Sequence, residues 1–238
     1  EAVILANKEL YTYINTNLSL NDYEYTNTIG FGGDNSLKMD LIAENIFIKH
    51  LEKFGNIYSE ECGLKSSNKE CTIIIDPLDG SNNFYSQIPY YGTSVALKIG
   101  EKIVAGFVTN LITKTIIYKA FEDDVKYYSL INMKEFTPLK TNKSKIAIFE
   151  RAYKYPKICE KLYQNNIKFR TLGAVALSLS RIFSAIIFLF LNCTLHNHQH
   201  KTAMKSYQQM IVSPSADCLI ISLQAASISL VELHFCGG

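Results

Sequence analysis

The chain has 238 residues, 47% of them apolar and 19% charged, the balance of an ordinary globular protein with ample core. A formal charge of +2 is too near zero to argue for a nucleic-acid polymer or an anionic membrane surface as partner. Six scattered cysteines form no CxxC pair, which argues against a zinc site or disulfide framework and for reduced thiols in a cytoplasmic protein.

The opening "EAVILANKELYTYINTNL" carries no basic leader and reads as a helix to about Leu20. The glycine-rich "TIGFGGDNS" reads as a flexible connection, because it lacks the lysine of a Walker loop and follows no buried strand. In "SLKMDLIAENIFIKHLEKF", Leu37, Leu41, Ile42, Ile48 and Leu51 keep a helical period, with Ser36 placed to cap the start. "GNIYSEECG" predicts a short strand running into the paired Glu60 and Glu61 and then a turn. "CTIII" is a compact β-branched run, the pattern of a strand buried on both faces.

Three further strands, "TSVALKI", "KIVAGFVTN" and "KTIIYKAF", are expected as a meander with short turns. Downstream, "KSKIAIFE" and "IKFRTL" read as strands, and "YPKICEKLYQN" and "GAVALSLSRIFSA" as helices. The fold class is therefore mixed, α/β or α+β, with helices and sheets in alternating layers. The apolar run "IFSAIIFLFLNC" from Ile182 is shorter than the roughly 20 residues that span a bilayer, so it is expected in the core.

From about residue 184 the character changes. The only acids there are Asp217 and Glu232, no glycine precedes Gly237, and His196, His198 and His200 alternate in "HNHQH". A divergent tail and a shifted reading frame each account for such a change.

The chemistry concentrates in Thr72 to Phe84, "TIIIDPLDGSNNF". Asp76 falls at the carboxyl end of an apolar strand, where open α/β sheets keep their ligand crevices. Pro77 cannot donate to the ladder, so strand pairing is expected to stop there. The Leu78 carbonyl is then free to serve as an oxygen ligand. Gly80 permits a sharp turn, and Ser81 is a good N-cap for a short helix. Two carboxylates and a carbonyl beside a helix N-terminus suit Mg²⁺ and a phosphate group. Asp-Pro and Asp-Gly are each ordinary turn dipeptides; their succession after a buried strand is what points to function. Glu60 and Glu61 end the neighbouring strand, so at least one can face the same crevice, and Asp40 sits in the first turns of its helix.

Taken in order, "GGDNSLKMDLIAENIFIKHLEKF", "IYSEECG", "IIIDPLDGSNNF" and "FRTLGAVALSLSRI" resemble the inositol monophosphatase family of Mg²⁺-dependent phosphatases. The likeness is greatest to bacterial and archaeal members acting on inositol monophosphate and fructose 1,6-bisphosphate, and it covers roughly residues 1–183. The resemblance implies a layered sugar-phosphatase fold, a homodimer and a small phosphorylated substrate. It further implies that Glu60, Asp76 and the Leu78 carbonyl hold one Mg²⁺, with Asp76 and Asp79 contributing to a second. Ser81, where the family usually has threonine, would orient and deprotonate the attacking water with Asp40, and the Gly80 and Ser81 amides would contact phosphate. Residues 1–150 would form the metal- and phosphate-binding layer, and residues 151–238 a C-terminal α/β layer, atypical from 184 onward.

One family feature has no counterpart: a further aspartate before small residues, downstream of the glycine matched by Gly173. Asp217 lies too late and lacks the small-residue pattern. Two alternatives stay open at this point, a 3′-phosphonucleotide phosphatase on the same fold and a catalytically impaired metal-binding or regulatory member.

Overall fold

A computed structural model describes residues 1–31, 35–66, 68–139 and 146–181, together with the backbone of two strands at 190–192 and 220–222. All but residues 190–192 of the apolar run from Ile182, the histidines at 196, 198 and 200, Asp217 and nearly all of the atypical 184–238 segment lie outside the described residues.

Two helices open the fold. The first, α1 (Ala2–Thr16), buries Ala6 and Leu10, four residues apart on one face. The second, α2 (Lys38–Leu51), buries Met39, Ala43 and Phe47 at the same spacing, with Ile46 three residues after Ala43. Between them the segment around "TIGFGGDNS" (28–36) departs at both its ends from the flexible connection expected of it. Those ends belong to an antiparallel pair, β1 (Tyr25–Ile29) with β2 (Asn35–Leu37). The alternating "YTNTI" supplies the strand propensity that the neighbouring glycines obscure. Ser36 belongs to β2 and does not cap α2; the Asp40 carboxylate instead accepts the Leu37 N–H at 2.9 Å.

The central sheet has eight strands in the order β10-β9-β8-β7-β6-β5-β3-β4. They are β3 (Asn56–Ser59), β4 (Gly63–Lys65), β5 (Cys71–Asp79), β6 (Gly92–Ile99), β7 (Lys102–Asn110), β8 (Thr115–Ala120), β9 (Lys126–Ser129) and β10 (Lys134–Phe136). Only β3 and β5 pair in parallel, and β5 through β10 form a continuous antiparallel meander. The meander runs two strands beyond the three expected, because "KYYS" and "KEF" are short and largely polar. The short helix α3 (Ser81–Tyr85) leaves the end of β5.

Period-2 alternation sorts the sheet's two faces. Ile73, Ile75 and Val95 face α1 and α2, in one core with Leu10, Phe47 and Phe84. Val108, one step out of phase with Phe107, faces the other way and packs on Ala174, Ala176 and Leu177 of the α5 region (α5, Val175–Ser180). Each of the fully buried large side chains, Phe47 and Leu10 among them, contributes about 2 kcal/mol of burial.

A second, parallel sheet has the order β12-β11-β13-β14, with β11 (Ala147–Glu150), β12 (Phe169–Arg170), β13 (Phe190–Asn192) and β14 (Ile220–Ser222). On β11, Ala147 and Phe149 pack on Leu162 of α4 (Pro156–Gln164). Glu150 points the other way, to α5. The layers thus run helix pair, eight-stranded sheet, α5, second sheet, α4, which is the layered mixed fold expected. Among the described residues no helix is long and apolar enough to cross a membrane.

Candidate active site

Three chain segments meet at the carboxyl end of β5. The strand's Ile73–Ile75 run through the core and deliver Asp76 to its edge. Asp76 pairs with Ser94, and the next ladder partners are Asp79 and Gly92, so β5 carries one residue more than β6 across this step. That is a β-bulge, a device that re-aims side chains beside sites. Pro77 therefore sits inside an irregular ladder that continues to Asp79; it does not end the strand as expected.

Beyond Asp79 the backbone turns at Gly80, which has φ +89 and is the N-cap of α3. Ser81 is the first helical residue, one position later than the cap role expected of it. A Cβ on residue 80 would meet the Ala174 Cβ at 3.0 Å and the Tyr90 carbonyl at 3.1 Å, so both conformation and space require glycine.

Asp40, Glu60, Glu61 and Asp76 converge on one small cavity of about 60 Å³, with Leu78 and Ser81 on its wall. Gly30 and Asn35, from the β1–β2 pair, close another side. The space suits a few waters or a small hydrated cation; a whole sugar phosphate is too large for it and would have to lie across the mouth. Asp79 and Gly80, between Leu78 and Ser81 in sequence, are not part of the lining. The structure thus brings together Asp40, Glu60, Asp76, Leu78 and Ser81, while the buried Asp79 is not part of the lining.

Backbone amides hold three of the carboxylates, Asp40, Asp76 and Asp79. Leu37 donates to Asp40, and Leu78 N–H donates to Asp76. Asp79 accepts the Leu177 N–H at 2.9 Å and also the Val175 N–H, both from the first turn of α5. Glu60 is anchored through its own N–H to the Ile75 carbonyl at 3.2 Å. Glu61 accepts a hydrogen bond from the Ser36 hydroxyl. The Phe31 N–H reaches the Glu61 carbonyl at 2.9 Å, tying the β1–β2 pair to the glutamate turn.

The electrostatics follow from this crowding. Burial first, then the neighbouring Glu61, Glu60 and Glu44, pushes the Asp40 carboxyl up from 3.8 to about 7. Burial, with Glu60 and Glu150 nearby, pushes Asp79 up to about 7 as well, against the pull of its two backbone hydrogen bonds. Asp76 is raised well above 3.8 by burial, then by Glu60, Asp79 and Asp40. No lysine, arginine or histidine lines the cavity among the described residues. Buried like charges with no counter-ion raise one another's proton affinity, and a cation relieves them.

The residues fit a hard divalent cation in donor type and in charge, with carboxylate and carbonyl oxygens in a small polar space. Among the described residues no three Asp, Glu, His or Cys side chains already stand at metal-ligand spacing. Binding would therefore have to draw the carboxylates together.

The comparisons place the chain. The model of the inositol monophosphatase family matches residues 33–190, well over half of its length. The chain belongs to the inositol monophosphatase family. It is 30% identical over 151 residues to the Pyrococcus furiosus fructose-1,6-bisphosphatase, 62% of this chain and 56% of that protein. It is 33% identical over 109 residues to the Methanocaldococcus jannaschii fructose-1,6-bisphosphatase/inositol-1-monophosphatase, 44% of this chain and 43% of that protein. The chain thus spans about half the length of the curated relatives it matches. The crystal structure of an inositol monophosphatase–fructose 1,6-bisphosphatase superposes with a TM-score of 0.68 at 21% identity, over 87% of this chain and 80% of that one. The fold is that of the family.

Two contributors to the cavity, Gly30 and Asn35, were hidden in the segment read as a connection. So was Ser36, which orients Glu61. Asn83 was also missed; its Nδ2 donates to the Leu172 and Tyr90 carbonyls, each at 2.7 Å, and locks α3 to the turn before α5. Its position inside "DGSNNF" was the only signal available.

Proposed function

We propose that this chain is a Mg²⁺-dependent phosphomonoesterase acting on a small sugar or polyol phosphate, inositol monophosphate or fructose 1,6-bisphosphate, in the cytoplasm and as a homodimer. The observation that carries the reading is the convergence of Asp40, Glu60, Glu61 and Asp76 at the bulged end of β5, with no basic side chain lining the cavity among the described residues, in a chain of this family. The names of the relatives supply the substrate class.

Glu60, Asp76 and the Leu78 carbonyl would hold one ion, and Asp76 with Asp79 would contribute to a second. When bound, Mg²⁺ neutralises phosphate charge and makes a water more acidic. The protein's own work is positioning, which carries most of phosphoryl transfer. Ser81 Oγ orients the attacking water from the cavity wall. Asp40 takes its proton from its place beside Ser81 in the cavity lining. The Gly80 and Ser81 amides, at the start of α3, face the phosphate. The water's oxygen bonds to phosphorus as the ester oxygen leaves and takes a proton from solvent water, giving an alcohol and inorganic phosphate.

A nucleotide substrate would need an aromatic platform. In "FYSQIPYY", Tyr91 packs edge-on to Phe84 at 5.2 Å and Tyr90 is hydrogen-bonded to Ser178. Tyr85 is exposed, with its ring 5.0 Å from that of Tyr25. A panel of inositol 1-phosphate, fructose 1,6-bisphosphate and 3′-phosphoadenosine 5′-phosphate tests the assignment by phosphate release. The reading expects turnover of the first two. Preference for the nucleotide would transfer it to the nucleotide class, and no turnover by the folded chain would make it an impaired member.

A further inference from the structure

One buried carboxylate takes no part in the chemistry above. Glu150, the last residue of β11, is 1% exposed and has no lysine, arginine or histidine in ion-pair range among the described residues. Both of its oxygens are committed to the region of α5. Oε2 accepts the Gly173 N–H at 2.9 Å, and Oε1 accepts the Ser178 hydroxyl at 2.6 Å. Ser178 has spent its only proton on Glu150, so the Tyr90 hydroxyl, 3.2 Å away, donates to it. Tyr90 in turn accepts from Arg181 Nε at 3.4 Å. A directed chain of donors thus runs from a guanidinium through two hydroxyls to the buried carboxylate, each link polarising the next.

The two anchors of Glu150 bracket the helix start whose amides hold Asp79. Gly173 precedes α5, Val175 and Leu177 donate to Asp79, and Ser178 follows on the next turn. Gly173 is pinned from the other side too: it has φ +81, and a Cβ there would meet Asn83 Oδ1 at 3.0 Å. A six-residue helix cannot hold its own register by helical hydrogen bonds alone. Its placement depends on these ties.

We propose that Glu150 is a positioning residue for Asp79: by holding Gly173 and Ser178 it sets the start of α5, and α5 sets the Asp79 carboxylate. The inference rests on the reading of Asp79 as a contributor to the second ion site. Residues that orient metal ligands usually cost ten- to a hundredfold in metal affinity when removed.

The test is Mn²⁺ binding to the metal-free full chain, followed by electron paramagnetic resonance and calorimetry, without substrate. Glu150→Ala is expected to weaken the weaker of two Mn²⁺ sites by roughly tenfold or more and to leave the tighter site unchanged. Glu150→Gln is expected to restore it, since a glutamine can accept from Gly173 through Oε1 and donate to Ser178 through Nε2. Ser178→Ala removes one anchor only and gives an intermediate loss, which keeps the test open should Glu150→Ala fold poorly. Equal Mn²⁺ affinities in wild type and Glu150→Ala, whatever the melting temperature, would overturn the positioning role, as would a glutamine variant no better than alanine. A wild-type chain that binds no Mn²⁺ would instead sink the metal-site reading itself.

Discussion

The Asp79 carboxylate and the Leu177 amide, 98 positions apart in sequence, meet at 2.9 Å and join the end of β5 to the first turn of α5. The same carboxylate is buried and held at about 7 by its surroundings. It is therefore both a helix cap and a strained anion. The two roles separate on substitution.

Asp79→Asn keeps an oxygen for the Leu177 N–H and removes the charge. The metal-free variant should melt higher than wild type at pH 8, by about 2–4 °C for each kcal/mol of relieved repulsion, and show little gain at pH 5. Activity with Mg²⁺ should be lost in the same variant. Differential scanning calorimetry at the two pH values checks the first part, and phosphate release the second. A lower melting temperature at pH 8 would mean that capping outweighs repulsion.

The pH dependence of stability follows from the same groups. Asp40 and Asp79 lie at about 7, and Asp76 is raised well above its ordinary 3.8. The folded chain therefore keeps protons that the unfolded chain gives up from about pH 4. Such groups favour folding below that point, and the advantage drains away as pH climbs toward 7. Glu9, lowered by Lys49 and His50, works in the opposite sense. It lies at the surface and more than a third exposed, so screening keeps its share small. Urea titrations of the metal-free protein should show stability falling from pH 5 to 7, and added Mg²⁺ should reverse the trend. A metal-free protein more stable at pH 7 than at pH 5 would contradict the account.

Gly80→Ala probes the turn. A Cβ there meets the Ala174 Cβ at 3.0 Å and must adopt φ +89. The expected cost is about 1–3 kcal/mol of stability, measured by urea midpoint, with a larger loss in kcat than in KM because Ser81 shifts with the turn. An unchanged midpoint would show that the turn relaxes freely.

Much of this was legible in the residues. "TIIIDPLDGS" placed Asp76, the turn and the short helix, because a β-branched run, a proline and a glycine are strong local signals. The extension of the ladder past Pro77 was not legible, since a bulge depends on which strand lies alongside. Ser36 looked like a cap because serine before an apolar period usually is one. Asp40 took that role, and the Ser36 hydroxyl found Glu61 across the cavity instead. The ties of Glu150 and Asn83 join segments that are distant in sequence, and periodicity holds no trace of them.

The central claim is that Asp76, shared at the bulged end of β5, makes this chain a metal-dependent phosphatase. The most direct measurement is phosphate release from inositol 1-phosphate and fructose 1,6-bisphosphate, with and without Mg²⁺, by wild type and by Asp76→Asn of the full chain. The account predicts Mg²⁺-dependent turnover in wild type, and loss of at least a hundredfold (about 2.7 kcal/mol of transition-state stabilisation) in a variant that still folds. Turnover that persists in Asp76→Asn, or that ignores Mg²⁺, would contradict it.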